Sequence, residues 1–332
     1  MKLIVQIPCY NEEQTIAQTV QDIPRYIPGV DSVEVLIIDD GSTDATVERA
    51  LEAGADHVIS FARNKGLAAA FNAGLDETLR LGADVIVNTD GDNQYRGDCI
   101  PDLVRPIIAG RADVVVGARP INDIEDFSWL KKRLQRLGSW LVRKVSATNV
   151  SDATSGFRAY SRRAAMRLTV VSDFTYTHET LIQAGRSGMA VAEVAIQTNR
   201  NTRPSRLFKS IPHYIARSLG TIGRIYTLYR PLAFFSTIAV VLFALGLALG
   251  GRYLYFFFTG QGAGHVQSVI VSGLLMMLGM QAFVVGIVAD LIAANRKLMQ
   301  DTLSRVRELQ ANGEPETDES EDEPASILAR MR

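Results

Sequence analysis

Two aspartates separated by one residue are the part of this sequence with the clearest chemical meaning. Asp90 and Asp92 directly follow the apolar run Asp84–Thr89, which has the length and composition of a buried strand. Two carboxylates on such a strand-end loop can share one hard divalent cation, since Mg²⁺ or Mn²⁺ takes one or two carboxylates plus substrate phosphate oxygens. Such an ion neutralises a nucleotide diphosphate as it leaves. The same motif in isolation is also common in ordinary turns.

Two more polar clusters follow apolar runs nearer the N-terminus. Asp39 and Asp40 follow the second run, where a carboxylate can accept hydrogen bonds from a nucleobase or ribose, or can simply cap a helix. Tyr10 and Glu12 follow the first run, where the ring can stack on a base and the carboxylate can hold a ribose hydroxyl. Tyr10 taken alone also suits a half-buried packing residue. Three such clusters at three strand ends make coincidence a poor explanation.

Short apolar runs alternate with helical patterns over the first 120 residues. An alanine-rich helix is predicted over Gly66–Leu81, and helix starts are predicted at Asn11 and at Thr43 or Asp44. This alternation predicts an α/β fold with a mostly parallel sheet flanked by helices, in which ligands bind at the carboxyl ends of the strands. The predicted strands are Leu3–Ile7, Val33–Ile38, His57–Ser60, Asp84–Thr89 and Asp113–Gly117.

The C-terminal third of the chain predicts a membrane anchor. Residues 231–250 and 266–289 carry no charge, and each can cross a hydrocarbon core of about 30 Å. Buried core helices of soluble proteins seldom run this long without charge. Basic residues flank both outer sides, whereas the connecting loop holds only Arg252, so we expect both termini in the cytoplasm of a two-span protein of the cell membrane. The expected units are a catalytic domain 1–199, a basic juxtamembrane segment 200–230, spans 231–250 and 266–290, and a cytoplasmic helix with an acidic disordered tail, 291–332.

Composition narrows the classes of function. The net charge of -1 hides an asymmetry, because residues 200–230 carry seven bases and no acid while residues 314–323 carry seven acids and no base. Cys9 and Cys99 lie in no Cys-x-x-Cys or Cys/His pattern, so we expect neither a zinc site nor a disulfide framework. We expect no nucleic acid among the partners, and the sequence leaves homo-oligomer formation open.

The sequence resembles a known family, the family 2 glycosyltransferases of GT-A fold, and within it the dolichol-phosphate-mannose synthase-like branch. The resemblance covers about residues 1–210. The motifs that carry it are Ile7-Pro8-Cys9-Tyr10-Asn11-Glu12-Glu13, Ile38-Asp39-Asp40-Gly41-Ser42-Thr43-Asp44, Asn64-Lys65-Gly66, Asp90-Gly91-Asp92-Asn93-Gln94, Gly117-Ala118-Arg119 and Ser155-Gly156-Phe157-Arg158-Ala159.

The resemblance implies roles for individual residues. The nucleotide would be held by Pro8, Tyr10, Glu12, Ile38 and Asp40. The metal, Mg²⁺ or Mn²⁺, would be held by Asp90, Asp92 and Gln94, with Gly91 in the place of the family's usual alanine and close to the diphosphate. Arg119 would face the acceptor phosphate or the diphosphate. The family has a basic residue followed by a serine and a lysine after the last strand, and these positions fall on Arg200, Ser205 and Arg206, so Arg206 replaces the family's lysine. The arginine and serine of the family's amphipathic helix fall around Lys131 and Gln135.

The resemblance implies transfer of a hexose from a nucleotide-diphosphate sugar to a membrane polyprenyl phosphate, dolichyl or undecaprenyl, by direct displacement with inversion. Elementary chemistry is consistent with such an acceptor, because a phosphate is already anionic and needs positioning and neutralisation by arginines rather than a strong base. Asp92 and Arg119 would then be the catalytic residues. The alternative acceptor is a hydroxyl of a lipid or growing glycan, which needs a base, and Glu179 is the candidate.

Two further classes fit less well. A nucleotidyltransferase needs a glycine-rich basic loop after the first strand, where this chain has Pro8-Cys9-Tyr10-Asn11. A non-catalytic membrane scaffold is the other class, and the complete set of Asp90, Asp92 and Gln94 argues against a decayed site.

Overall fold

The computed structural model describes residues 1–119, 148–170, 176–199, 229–260 and 262–312, together with the single positions 143, 146, 224 and 227. Over these residues the chain forms one α/β domain that is followed by two long helices. The expectations for Lys131, Gln135, Arg200, Ser205 and Arg206, and for the acidic tail, lie outside the described residues.

The strands of the described residues form one sheet. Their bounds are β1 Lys2–Cys9, β2 Ser32–Asp39, β3 His57–Ser60, β4 Val85–Asn88, β5 Val114–Ala118, β6 Arg158–Ser161 and β7 Val191–Ala195. The order across the sheet is β3-β2-β1-β4-β6-β5-β7, in which β6 alone runs antiparallel to its neighbours. The carboxyl ends of β1, β2 and β4 therefore lie at the same edge of the sheet.

Helices cover both faces of this sheet. Their bounds are α1 Ile16–Gln21, α2 Thr46–Glu52, α3 Leu67–Arg80, α4 Ile100–Ile108, α5 Arg162–Arg167 and α6 Tyr176–Arg186, with a short 3₁₀ turn at Gly97–Cys99. Side chains of β1 point alternately to the two faces: Leu3 and Val5 pack with α1 and α4, whereas Ile4 packs with α3 and α5. Because both faces are covered, β1 is buried from Leu3 to Cys9, as expected for the centre of a parallel sheet.

The predicted fold class is confirmed, and the five predicted strands are present with ends shifted by one or two residues. The two predicted helix starts are wrong. Asn11 adopts a left-handed backbone conformation with φ of 53°, and α1 begins only at Ile16. Asp44 accepts a hydrogen bond from the Thr46 amide, so α2 begins two residues later than expected. In both places the polar residues bind loops of the sheet edge instead of continuing into a helix.

Arg158 begins β6 and is completely buried, although it faces no carboxylate among the described residues. Its guanidinium donates hydrogen bonds to the carbonyl oxygens of Ala153, Ser155 and Thr177, at 2.9, 2.9 and 2.6 Å. A further bond reaches the Thr180 hydroxyl. The side chain thus joins the loop before β6 to the first turn of α6.

Two helices at the C-terminal end are long and apolar enough to cross a bilayer. They are α7, Pro231–Phe258, and α8, Val266–Asn312, and their apolar segments have mean hydropathies of 2.5 and 2.1. Most of their large side chains are exposed, so these helices differ from the buried core helices of a soluble protein. They pack antiparallel with glycines at the contact, since a Cβ at Gly279 would lie 2.9 Å from the Phe243 ring.

The C-terminal half of α8 extends past the apolar segment and packs against the α/β domain. Arg307 forms an ion pair with Asp76 of α3 at 2.8 Å and donates a hydrogen bond to the Leu168 carbonyl oxygen at 2.6 Å. Nearer the membrane segment, Arg296 lies 3.5 Å from the Glu179 carboxylate and donates to the Tyr229 hydroxyl at 2.8 Å. One continuous helix therefore joins the apolar hairpin to two sites on the domain.

Replacing Arg158 by methionine tests the buried hydrogen bonds. Without the guanidinium, the carbonyls of Ala153, Ser155 and Thr177 each lose one charge-assisted hydrogen bond. A hydrogen bond to a charged group contributes about 1.5–3 kcal/mol, so we expect the loss of three of them to lower the free energy of unfolding by at least about 3 kcal/mol. The measurement is the melting temperature of the purified protein in detergent. Arg167→Met is the control, since Arg167 is exposed and has no polar partner among the described residues; equal melting temperatures would contradict the role of Arg158.

Candidate active site

The three polar clusters predicted from the sequence meet at one edge of the sheet. Cys9 and Asp39 are partners at the ends of β1 and β2, and the Asp40 amide donates to the Cys9 carbonyl at 2.9 Å. The loop after β4 reaches the same place, because a Cβ added at Gly91 would lie 3.1 Å from the Cys9 Cβ and 3.5 Å from the Glu12 Cγ. Gly91 thus allows the β4 loop to approach the β1 loop closely.

Asp40 holds the loop that precedes α3. Its carboxylate is buried and accepts hydrogen bonds from the backbone amides of Lys65 and Gly66, at 2.6 and 2.9 Å. Gly66 has φ of 90°, a left-handed conformation that favours glycine. The Asn64-Lys65-Gly66 motif is therefore part of this edge and is positioned by Asp40.

Three other residues predicted to bind the nucleotide, Pro8, Tyr10 and Ile38, differ in exposure. Pro8 and Ile38 are register partners within the sheet and are both buried, so they shape the floor of the edge rather than offering polar groups. Tyr10 is 39% exposed at the end of β1, which leaves a ring surface accessible for stacking.

The carbonyl of Gly91 is fixed by two threonines of the α1 region. The Thr15 hydroxyl donates to this oxygen at 2.8 Å and the Thr19 hydroxyl at 3.3 Å. Thr15 also donates to the Glu12 carboxylate at 3.3 Å. These bonds orient the loop between Asp90 and Asp92 relative to Glu12.

Asp90 lies in an environment that opposes its ionisation. Burial raises the pKa of this carboxyl group to about 7, and the negative charges of Asp92 and Glu12 act in the same direction, while Arg119 acts against them. Gly156 packs against Asp90, since a Cβ there would lie 3.1 Å from the Asp90 carboxylate oxygen. A divalent cation would relieve this accumulation of negative charge.

The donor set fits a hard cation that also binds its substrate. Within the described ranges, no group of three or more His, Cys, Asp or Glu side chains is arranged to hold a metal. Two carboxylates are nonetheless what Mg²⁺ takes when substrate phosphates supply the other oxygens. The Asp92 carboxylate accepts from the Gln94 amide at 3.1 Å, and the Gln94 carbonyl accepts from the Asn199 amide at 2.9 Å, so the backbone on both sides of Asn93 is held.

A layer of polar residues that the sequence analysis did not identify supports this loop from below. Asn88, the last residue of β4, accepts a hydrogen bond from Gln6 at 2.9 Å and donates to the Tyr176 hydroxyl at 2.8 Å and the Gly156 carbonyl at 3.0 Å. The Tyr95 hydroxyl accepts from the Gly156 amide at 3.0 Å. A polar residue at the end of the apolar run Val85–Asn88 was the one signal that could have revealed this layer.

Arg119 forms a buried ion pair. Its Nε and Nη2 atoms donate to the two oxygens of Asp152 at 2.7 and 3.1 Å, and Nη2 also donates to the Thr154 hydroxyl at 2.7 Å. Burial opposes ionisation of Asp152, but the charge and hydrogen bonds of Arg119 outweigh it and hold the pKa of Asp152 below its usual value. The guanidinium is therefore fixed in orientation, and its Nη1 atom has no hydrogen-bond partner among the described residues.

Glu179 lies in the first turn of α6 and is buried. One of its carboxylate oxygens is 3.5 Å from the Arg296 guanidinium and 3.4 Å from the Gln183 amide. Sequence analysis placed Glu179 near the acceptor, and the structure places it where α6 meets α8.

Known proteins resemble this chain in sequence. Residues 4–169 match the family model described as Glycosyl transferase family 2. The chain is 27% identical over 314 residues to the glycosyltransferase AglJ of Haloferax volcanii, covering 91% of this chain and 96% of AglJ. It is 30% identical over 206 residues to the polyprenol monophosphomannose synthase of Mycolicibacterium smegmatis, covering 59% of this chain and 76% of that protein.

A solved structure extends the similarity to the fold. Glucosyl-3-phosphoglycerate synthase from Mycobacterium tuberculosis, crystallised with Mn²⁺, uridine diphosphate and glucosyl-3-phosphoglycerate, aligns with a TM-score of 0.52 and 25% sequence identity, covering 67% of this chain and 79% of that chain. The matched family model spans the strands whose ends form the site described above. The chain is therefore a member of glycosyltransferase family 2.

Proposed function

We propose that this glycosyltransferase transfers a hexose from a nucleotide-diphosphate sugar to a polyprenyl phosphate of the membrane. Transfer occurs by direct displacement with inversion and with a bound Mg²⁺ or Mn²⁺. The name of the relative from M. smegmatis supports a polyprenyl acceptor, and the Mn²⁺ and uridine diphosphate in the M. tuberculosis structure support a metal and a nucleotide. The apolar helices α7 and α8 support a site at the membrane surface.

The donor nucleotide is assigned to the edge formed by β1 and β2. Tyr10 offers its exposed ring to the base, and Glu12 offers its carboxylate to a ribose hydroxyl. Pro8 and Ile38 form the apolar floor, and Asp40 keeps the loop before α3 in place. Gly91, which has no side chain, lets the diphosphate approach the backbone of the β4 loop.

The metal is assigned to Asp90 and Asp92, with Gln94 as the third residue. When bound, the cation neutralises the charge that develops on the departing diphosphate. The protein residues supply the fixed geometry: the threonines on the Gly91 carbonyl and the Tyr176–Asn88 layer below hold the loop in one conformation.

The acceptor phosphate is assigned to Arg119, whose Nη1 atom has no hydrogen-bond partner among the described residues. Asp152 and Thr154 orient the guanidinium, so a phosphate oxygen placed there is neutralised without rearrangement of the arginine. A phosphate oxygen is already deprotonated and attacks without a general base. Lys131 and Ser205 are assigned to the same acceptor phosphate, and Arg200 and Arg206 to the nucleotide sugar. All four residues lie outside the described residues.

The observation that favours a phosphate over a hydroxyl acceptor is the position of Glu179. A hydroxyl acceptor needs a base within hydrogen-bond reach of its proton. The Glu179 carboxylate instead contacts Arg296 and Gln183, so accepting a proton would weaken both contacts. Glu179 is better explained as a contact between the catalytic domain and α8, although a hydroxyl acceptor with Glu179 as base remains the competing function.

Asp92→Asn tests the metal assignment. Removing one charged ligand should cost at least about 2 kcal/mol of transition-state stabilisation, or about a 30-fold fall in kcat/KM. The measurement is turnover with Mg²⁺ or Mn²⁺ in detergent or vesicles. Asp98→Asn, an exposed aspartate six residues along, is the control and should remain active. Near-normal turnover of Asp92→Asn would contradict the assignment.

Arg119→Ala and Glu179→Gln together decide the acceptor. With a phosphate acceptor, we expect Arg119→Ala to lower kcat/KM at least tenfold and Glu179→Gln to have a milder effect, since no proton is abstracted. Arg163→Ala is the matched control: Arg163 pairs with Asp113 at the same 2.7 Å, but at the opposite edge of the sheet.

The product gives the second half of this test. A sugar phosphodiester is labile to mild acid, because the anomeric carbon carries a phosphate leaving group. Loss of activity in Glu179→Gln together with an acid-stable product would exclude the polyprenyl-phosphate acceptor and leave the hydroxyl acceptor.

Two cysteine variants test the orientation in the membrane. In a Cys99→Ser background, Thr259→Cys lies at the end of α7 and should react with an impermeant thiol reagent added to intact cells. Thr302→Cys lies on the part of α8 beside the catalytic domain and should react only after the membrane is opened. Equal protection of both cysteines would contradict the two-span arrangement.

A further inference from the structure

A cavity lies where the catalytic domain meets the two apolar helices. It is bounded by the C-terminal end of α6, by the residues that lead into α7, and by one turn of α8. Its volume is about 540 Å³, and it is widely open to the surface. The residues that matter here are Ser146, Arg186, Tyr229, Arg230, Leu232 and Asp290, and we call the space they line the junction cavity.

Two arginines and one acid, Asp290, line the junction cavity. Neither Arg186 nor Arg230 forms an ion pair or a hydrogen bond with the described residues, and Arg186 lies over the Tyr229 ring with its guanidinium carbon 5.7 Å from the centroid. Partial burial lowers the pKa of Arg186, and the neighbouring charge of Arg230 lowers it further. The Asp290 carboxylate lines the same cavity but pairs with neither arginine. Two arginines against one carboxylate leave an excess of positive charge in the junction cavity, which favours an anionic ligand.

The position of the junction cavity indicates where that anion comes from. Arg230 immediately precedes Pro231, the first residue of α7, and Leu232 of the first turn lines the cavity. Asp290 is the first charged residue after the uncharged segment of α8. Both membrane helices therefore change from apolar to charged at this level, which is the headgroup level of a bilayer. A ligand here meets arginines on one side and an apolar helix turn on the other.

The junction cavity is separate from the candidate active site. Tyr176, at the first residue of α6, donates to the Gly156 carbonyl beside Asp90, whereas Arg186 is the last residue of the same helix. An α-helix rises about 1.5 Å per residue, so the two ends of α6 are about 15 Å apart. A phosphate bound by Arg186 and Arg230 is therefore not in position to react at the metal site.

We propose that the junction cavity binds the phosphate headgroup of an anionic membrane phospholipid that is not a substrate. The Tyr229 ring forms one wall of the cavity, and its hydroxyl accepts a hydrogen bond from Arg296, which contacts Glu179. A lipid bound there stabilises the contact between the catalytic domain and the membrane helices. The inference does not depend on the acceptor of the reaction.

The test is a binding measurement on the full chain in a neutral detergent. Melting temperature is followed while dioctanoyl phosphatidylglycerol, dioctanoyl phosphatidylcholine or inorganic phosphate is added. We expect phosphatidylglycerol alone to stabilise the wild-type protein, and the double variant Arg186→Gln/Arg230→Gln to bind it at least tenfold more weakly. Lys297→Gln/Arg305→Gln removes the same charge from exposed positions of α8 and should bind like the wild type.

Each other outcome overturns the proposal. Equal weakening in both double variants shows nonspecific attraction between charges. Equal stabilisation by phosphatidylcholine shows that the anionic charge is not recognised, and equal stabilisation by inorganic phosphate shows a site for a free anion. The ligand-free melting temperatures of both variants must match the wild type, as expected for exposed side chains; if they do not, the single variants Arg186→Gln and Arg230→Gln are titrated, and unchanged affinity in both overturns the proposal.

Discussion

Asp90 lies at a half-buried corner of the sheet edge, where burial and the negative charges of Asp92 and Glu12 oppose its ionisation. The neighbouring structure resists this repulsion through ordinary hydrogen bonds. The hydroxyls of Thr15 and Thr19 donate hydrogen bonds to the Gly91 carbonyl. Asn88, at the start of the same loop, donates a hydrogen bond to the Tyr176 hydroxyl. Local destabilisation of this kind is expected where a protein binds a cation, because the cation restores the balance of charge.

Features that depend on neighbouring residues in the chain could be predicted from the sequence. Parallel strands read as short apolar runs, and the polar residue that ends each run lies at the same edge of the sheet by geometry alone. This is why the meeting of the clusters around Tyr10, Asp40 and Asp90 could be predicted without a structure. The same locality misled the prediction of helix starts. Asn11 and Asp44 have the side chains of helix caps, but Asn11 accepts a hydrogen bond from the Thr43 amide and Asp44 accepts one from the Glu13 amide, so each binds the loop of the other strand.

Contacts between distant parts of the chain could not be predicted. β6 was missed because its four residues include a buried arginine, whose partners are carbonyl groups of loops and of α6 that no sequence pattern marks. The pairing of Arg119 with Asp152 and of Glu179 with Arg296 joins residues 33 and 117 positions apart along the chain. In each case burial selects the partner, and burial is a property of the folded chain.

With the proposed lipid acceptor, the length of α8 limits which lipids can react. Its 47 residues correspond to a length of about 70 Å. The uncharged first 24 residues account for about 36 Å of this length, which is enough to cross a bilayer core of about 30 Å. The rest of the helix would then extend beyond the bilayer, where Arg296 and Arg307 contact Glu179 and Asp76 of the α/β domain. The length of the helix therefore fixes the distance between the domain and the membrane segment. In the proposed arrangement this length sets a fixed distance between the candidate active site and the bilayer surface, and an acceptor group on a lipid would react only if its height above that surface matches this distance.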